Sequence, residues 1–156
     1  MDRVRRDVLK AGGGASLLAL LAAAGIVLPD AAFAADASQK AFDAKNMKEA
    51  FDALGAGGRT ESPLIVMNAP EIAENGAVVP IGVQSKIPGT ESITILVAKN
   101  PNPLAASFDI PAGTDPGVST RVKMMETSDV HVLVKAQGKY YATRKEIKVT
   151  IGGCGG

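Results

Sequence analysis

The chain has 156 residues, room for one domain plus a processing segment but not for two comfortable cores. Residues 1–34 hold four of its 17 basic and three of its 16 acidic residues, leaving 13 of each in the remainder. A body of zero formal charge has no field to gather nucleic acid or anionic lipid, so those partner classes drop out.

The first 34 residues read as an export signal. Arg5-Arg6-Asp7-Val8-Leu9-Lys10 follows the pattern of a twin-arginine leader, with Val8 where Phe is commonest. The apolar stretch from Ala11 to Leu28 contains Gly12, Gly13, Gly14 and Gly25, so it is only mildly hydrophobic. Ala32-Phe33-Ala34 then offers small residues for a signal peptidase, and cleavage is expected after Ala34. The competing reading is an uncleaved anchor, because a span needs only about 17–20 apolar residues. The alanine richness and the small-residue site favour removal. A periplasmic protein without stable membrane association after cleavage is the expectation.

A domain is expected over residues 35–151. From Ser38 to Leu54 the pattern is helical, with Met47, Ala50, Phe51 and Leu54 on one stripe. Asp36 or Ser38 would cap its start and Gly55 would end it. So short an amphipathic helix must pack on the domain or on a partner, and its apolar face is one candidate partner surface.

Beyond Gly58 the pattern turns to β. Expected strands are Leu64–Met67, Ala77–Val83, Ile93–Val97, Ala106–Ile110, Val118–Met124, Val130–Lys135 and Tyr140–Ile151. Pro80 implies an edge or a bulge. Asn100-Pro101-Asn102-Pro103 reads as a rigid turn and Gln137-Gly138-Lys139 as a hairpin turn. In the last strand Ile147, Val149 and Ile151 share one face, with Lys148 and Thr150 on the other. Seven or so short strands broken by Pro, Gly and Asn predict an all-β, antiparallel sandwich of the immunoglobulin-like kind behind a short N-terminal helix.

The body offers little chemistry. His131 is the single histidine, and alternation places it on a solvated face opposite Val130, Val132 and Val134. One histidine without nearby Cys or a second His builds no common zinc or copper site, so no metal is expected. Glu71, Glu74, Glu126 and Asp129 read as solvated carboxylates near turns. No phosphate-binding loop, nucleophile elbow or dinucleotide fingerprint is present, and no catalytic residue is assigned.

The end of the chain differs. Residues 152–156 are Gly152-Gly153-Cys154-Gly155-Gly156, and Cys154 is the one cysteine. An exported cysteine is usually half of a disulfide, yet this chain has no second one. Four glycines maximise the entropy cost of holding the residue in a core. A reactive thiol, an intermolecular bridge and an inert residue remain as readings, of which the first is preferred. Glycine adds no bulk beside the sulfur, and three residues from Ile151 to Cys154 span about 10 Å, so such a segment can thread a narrow pocket. A flexible tail cannot hold acid, base or oxyanion donors in place, so it suits a swinging arm better than an active site.

Val149-Thr150-Ile151-Gly152-Gly153-Cys154-Gly155-Gly156 resembles the C-terminus of SoxY, the sulfur carrier of the bacterial thiosulfate-oxidation (Sox) system. Asn75–Pro80, Asn100–Pro103, Thr120–Lys123 and Glu146–Thr150 also resemble that family. The resemblance implies an immunoglobulin-like carrier without cofactor or catalytic residues, paired with a β-sandwich subunit, SoxZ. It implies that Cys154 is conjugated oxidatively to thiosulfate by a c-type haem enzyme. A dimanganese hydrolase would then release sulfate, and in some pathways a molybdenum–haem enzyme oxidises the remaining sulfane sulfur. The alternative from a different class is a periplasmic structural or adhesive subunit tethered through a Cys154 disulfide. A metal-delivery protein ranks last, for want of soft ligands.

Overall fold

A computed structural model describes residues 39–150. The leader, the Asp36 and Ser38 caps, Ile151 and the Gly152–Gly156 segment with Cys154 lie outside the described residues.

The helical region is in two pieces rather than the single helix expected over 38–54. A helical turn at 39–43 is followed by helix α1 (Met47–Leu54). Asn46 causes the break. Its backbone is extended, and its side chain accepts the Glu49 N–H at 2.9 Å while the Glu49 carboxylate accepts the Lys45 N–H at 2.9 Å. That reciprocal capping starts a new helix at Met47. Gly55 ends α1 as expected, with φ +70°, and the Gly55 and Ala56 N–H groups donate to the Asp52 and Phe51 carbonyls. The left-handed conformation there disfavours any residue with a Cβ.

Among the described residues nine strands follow: β1 (Thr60–Glu61), β2 (Ile65–Asn68), β3 (Ile72–Ala73), β4 (Val79–Ser85), β5 (Thr90–Val97), β6 (Leu104–Asp109), β7 (Gly117–Val122), β8 (Ser128–Ala136) and β9 (Lys139–Val149). The larger sheet runs β1-β9-β8-β5-β6, with β3 also on β9, and the smaller runs β2-β4-β7. The two-sheet sandwich is the expected one. Two details were not legible in the alternation: β1 and β3 are dipeptide strands that pair with β9 in parallel, at its two ends. β2 reaches only as far as Gly82 on β4, so Pro80 faces no partner on that side and costs no ladder bond there. The β8–β9 hairpin turns at Gln137 (φ +53°) and Gly138 (φ +70°), the two positive φ values of a type I′ turn.

Two apolar cores flank the larger sheet. Ile93, Ile95, Val130, Val132, Val134 and Ile147 face Val79, Ile81, Val83 and Val122 of the smaller sheet. On the opposite face Leu96, Leu104, Leu133 and Ala142 pack under Ala41, Ala44, Ala50 and Phe51. The apolar face of α1 is therefore spent on the domain's own sheet, which removes it as a candidate heterodimer surface. Burying Phe51 alone is worth about 1.5–3 kcal/mol. The Asn-Pro-Asn-Pro turn helps hold this layer, because Asn102 Nδ2 donates to the carbonyls of Phe42 at 2.9 Å and Ala44 at 3.3 Å.

Candidate functional site

The last described residues form the root of the segment that carries Cys154, and they are held from both sides. On one side β3 and the residue before it supply acceptors: the Glu71 carbonyl takes the Lys148 N–H at 2.9 Å and the Ala73 carbonyl takes the Thr150 N–H at 3.1 Å. On the other side β8 stops pairing at Ser128, opposite Ile147. The hydroxyl of Thr127 then accepts the Val149 N–H at 3.0 Å. Thr150 Oγ1 adds a bond to the Glu74 carbonyl at 3.2 Å. Every backbone donor from Lys148 to Thr150 is thus engaged, while Ile147 and Val149 fix the strand to the core below. The sequence shows why: Ile147 and Val149 alternate inward, and Thr127 and Thr150 have hydroxyls short enough to bond nearby backbone.

Around this root stand Glu71 and Glu74, both exposed as expected, and Ile72, whose side chain is 57% exposed. Lys145 does not project freely; its Nζ donates to the Ala69 carbonyl at 2.7 Å. Glu126 is exposed and 3.5 Å from Lys99, a pair of small energetic weight in water. Among the described residues, no three His, Cys, Asp or Glu converge as a metal site. A groove of about 530 Å³ on the outer face of the smaller sheet is lined by Val66, Gly82, Gln84, Gly117 and Ser119, with no His, Cys or Lys to activate a hydroxyl. Its one carboxylate, Asp115, accepts from Gln84 at 2.7 Å.

His131 is not on a solvated face. It belongs to the outer face of the larger sheet, but α1 covers that face, and the imidazole is half-buried edge-on to Phe51 with ring centres 6.0 Å apart. Arg59 lies over the same phenyl ring, its guanidinium carbon 3.7 Å from the centre. Burial is the chief cause holding His131 below the ordinary imidazole range. Asp129 opposes that shift, Arg144 and Arg59 reinforce it, and Glu61 opposes it more weakly. Alternation located the sheet face of His131, but only the tertiary fold shows what covers it.

The comparisons with known proteins bear on this architecture. Residues 51–154 match the family described as sulfur oxidation protein SoxY. The chain belongs to the SoxY family. The structure of the sulfur carrier protein SoxY from Chlorobium limicola f thiosulfatophilum is similar at 44% identity and a TM-score of 0.57, covering 64% of this chain and 93% of that one. A chain from a structural study of T cell specificity and activation by the bacterial superantigen toxic shock syndrome toxin-1 shares 13% identity at a TM-score of 0.38, over 55% of this chain and 98% of that one, and carries no argument. No curated protein matches. The family match extends to residue 154, so the SoxY region includes the cysteine position as well as the sandwich. It also places this chain among the sulfur carriers of the Sox system.

Of the residues singled out from sequence, Cys154 and Gly152, Gly153, Gly155 and Gly156 lie outside the described residues. What sequence reading missed is the root: Thr127 and the Glu71–Glu74 edge carry no motif, and only the Ile147/Val149 alternation hinted at a fixed strand.

Proposed function

We propose that this chain carries sulfur covalently on Cys154 during thiosulfate oxidation and presents it to partner enzymes. The observation that carries the reading is the clamped root. Lys148 to Thr150 are bonded on both sides, and Cys154 follows four residues later, within about 13–14 Å of extended chain. A fixed base with a glycine-flanked thiol beyond it suits delivery of one sulfur atom into a narrow active site. Membership of a sulfur-carrier family supports the same reading.

In this reading the chain leaves its cytoplasmic origin by the twin-arginine route and works in the periplasm. A SoxZ-like β-sandwich subunit pairs with it. A c-type haem enzyme joins thiosulfate to the Cys154 thiol: a sulfur–sulfur bond forms, the thiol proton is released, and two electrons leave one at a time through haem iron to an onward electron acceptor. A dimanganese hydrolase then adds water across the terminal sulfur–sulfur bond of the Cys154 thiosulfonate, releasing sulfate and protons and leaving a persulfide. Where a molybdenum–haem enzyme is present, it oxidises the remaining sulfane sulfur. The carrier supplies reach and clearance, and the partners supply catalysis, since a glycine-rich segment cannot preorganise reacting groups.

Intact-mass measurement of the protein from cells growing on thiosulfate tests this. Sulfur adducts should be present, lost on reduction, and absent from Cys154→Ser. Bulky residues inserted between Ile151 and Gly152 should abolish turnover while the domain still folds. Unmodified thiol throughout growth on thiosulfate would sink the proposal.

A further inference from the structure

Arg59, His131 and Arg144 come together on the side of the larger sheet covered by α1. In the β8–β9 ladder His131 stands directly opposite Arg144, so both occupy the same face. β1 pairs Glu61 with Ala142, which brings the chain segment bearing Arg59 alongside. Together these residues, with Glu61 and Thr143, line a hollow of about 340 Å³. We propose that this hollow is a binding site for a small dianionic oxyanion of the sulfate type.

The first support is convergence of cations that are only loosely paired. Arg59 makes no ion pair among the described residues; its side chain meets the Phe51 ring and donates to the Ala56 carbonyl at 3.4 Å. Arg144 has only Asp129, at 4.0 Å between exposed side chains, a pair of little strength in water. Both guanidiniums act on His131 as repelling charges, so the three groups share one local field. An anion seated among them relieves that repulsion.

The second support is order. One phenyl ring, Phe51, positions both Arg59 above its face and His131 at its edge, so two of the three donors are held by the folded core. A guanidinium presents a planar fork of N–H groups that matches two oxygens of an oxyanion, and a protonated imidazole adds a single donor.

The charges facing His131 set the pH dependence. Arg59 and Arg144 are positive, while Glu61 and Asp129 are negative, so the neutral imidazole leaves the cluster balanced. Protonating His131 tips it positive. Binding therefore strengthens as the solution is acidified, and the anion raises the pH at which His131 titrates.

This proposal is independent of Cys154, and its test keeps the thiol out of play. His131 is the single histidine of the chain, so its ring signals are unambiguous. In the full chain carrying Cys154→Ser, His131 is titrated by NMR in sodium sulfate and in sodium chloride at equal ionic strength. A tenfold preference of sulfate for the protonated form raises the midpoint by about one pH unit at saturation. Arg144→Gln, on an exposed strand position, should reduce that shift at least threefold, and Arg59→Gln should do the same. Coincident curves in the two salts would overturn the proposal. So would a sulfate shift that survives undiminished in Arg144→Gln, the variant that decides the matter if Arg59→Gln fails to fold.

Discussion

Thr150 donates its backbone N–H to the carbonyl of Ala73 at 3.1 Å, so the last described residue of the chain is tied to a strand laid down 77 positions earlier. β3 is only two residues long, yet it lies where β9 runs out. Thr127 answers it from the other side. Together they make a firm base from which the Cys154 segment departs.

Replacing Thr127 by Val keeps the shape and removes the acceptor for the Val149 N–H. The expected result is a loss of about 1 kcal/mol of stability in denaturant unfolding. Hydrogen exchange should accelerate more at Val149 than at the amides of β5, which follow only the global loss. Thr127→Ser should restore most of the protection, because the hydroxyl returns. Unchanged exchange at Val149 in Thr127→Val would mean that the side-chain bond does not hold the root.

Phe51 joins α1 to the larger sheet and holds both Arg59 and His131. Phe51→Ala should cost about 3–5 kcal/mol, the range for emptying a buried aromatic site. Thermal unfolding measures the loss. In the same variant His131 should titrate closer to its ordinary value, because the ring that helps bury it is gone.

His131 gives the fold a pH-dependent contribution with a definite sign. Its folded pKa lies below the ordinary value of 6.5, so the unfolded chain binds more protons between the two values. Stability is therefore full above about 6.5 and falls as the pH drops from there toward the depressed folded value. His131→Gln should flatten the stability profile across that window. Denaturant midpoints at closely spaced pH values between neutrality and the carboxylate range check it, and an equal slope in the variant would contradict it. Added sulfate would partly offset the wild-type loss if the oxyanion occupies the hollow.

Much of this was legible in advance. The runs at Ile93–Val97 and Val130–Lys135 foretold strands, since β-branched residues are suited to a sheet buried on at least one face. Gln137-Gly138 foretold a tight hairpin, and Gly55 a helix end. The break at Asn46 was missed because the stripe of Met47, Ala50, Phe51 and Leu54 extends smoothly to earlier residues, and only the side-chain cap interrupts it. β1 and β3 were missed because two residues cannot display a period.

The sequence by itself determined the strand order along the chain, the inward faces, and a lone cysteine between glycines. These follow from local spacing and from covalent neighbours. Only the tertiary structure decided that α1 covers its own sheet, that His131 sits beneath it beside two arginines, and that the root of β9 is held by Ala73 and Thr127. The reason is range: each of those outcomes depends on contacts between residues distant in the chain, which alternation and propensity do not encode.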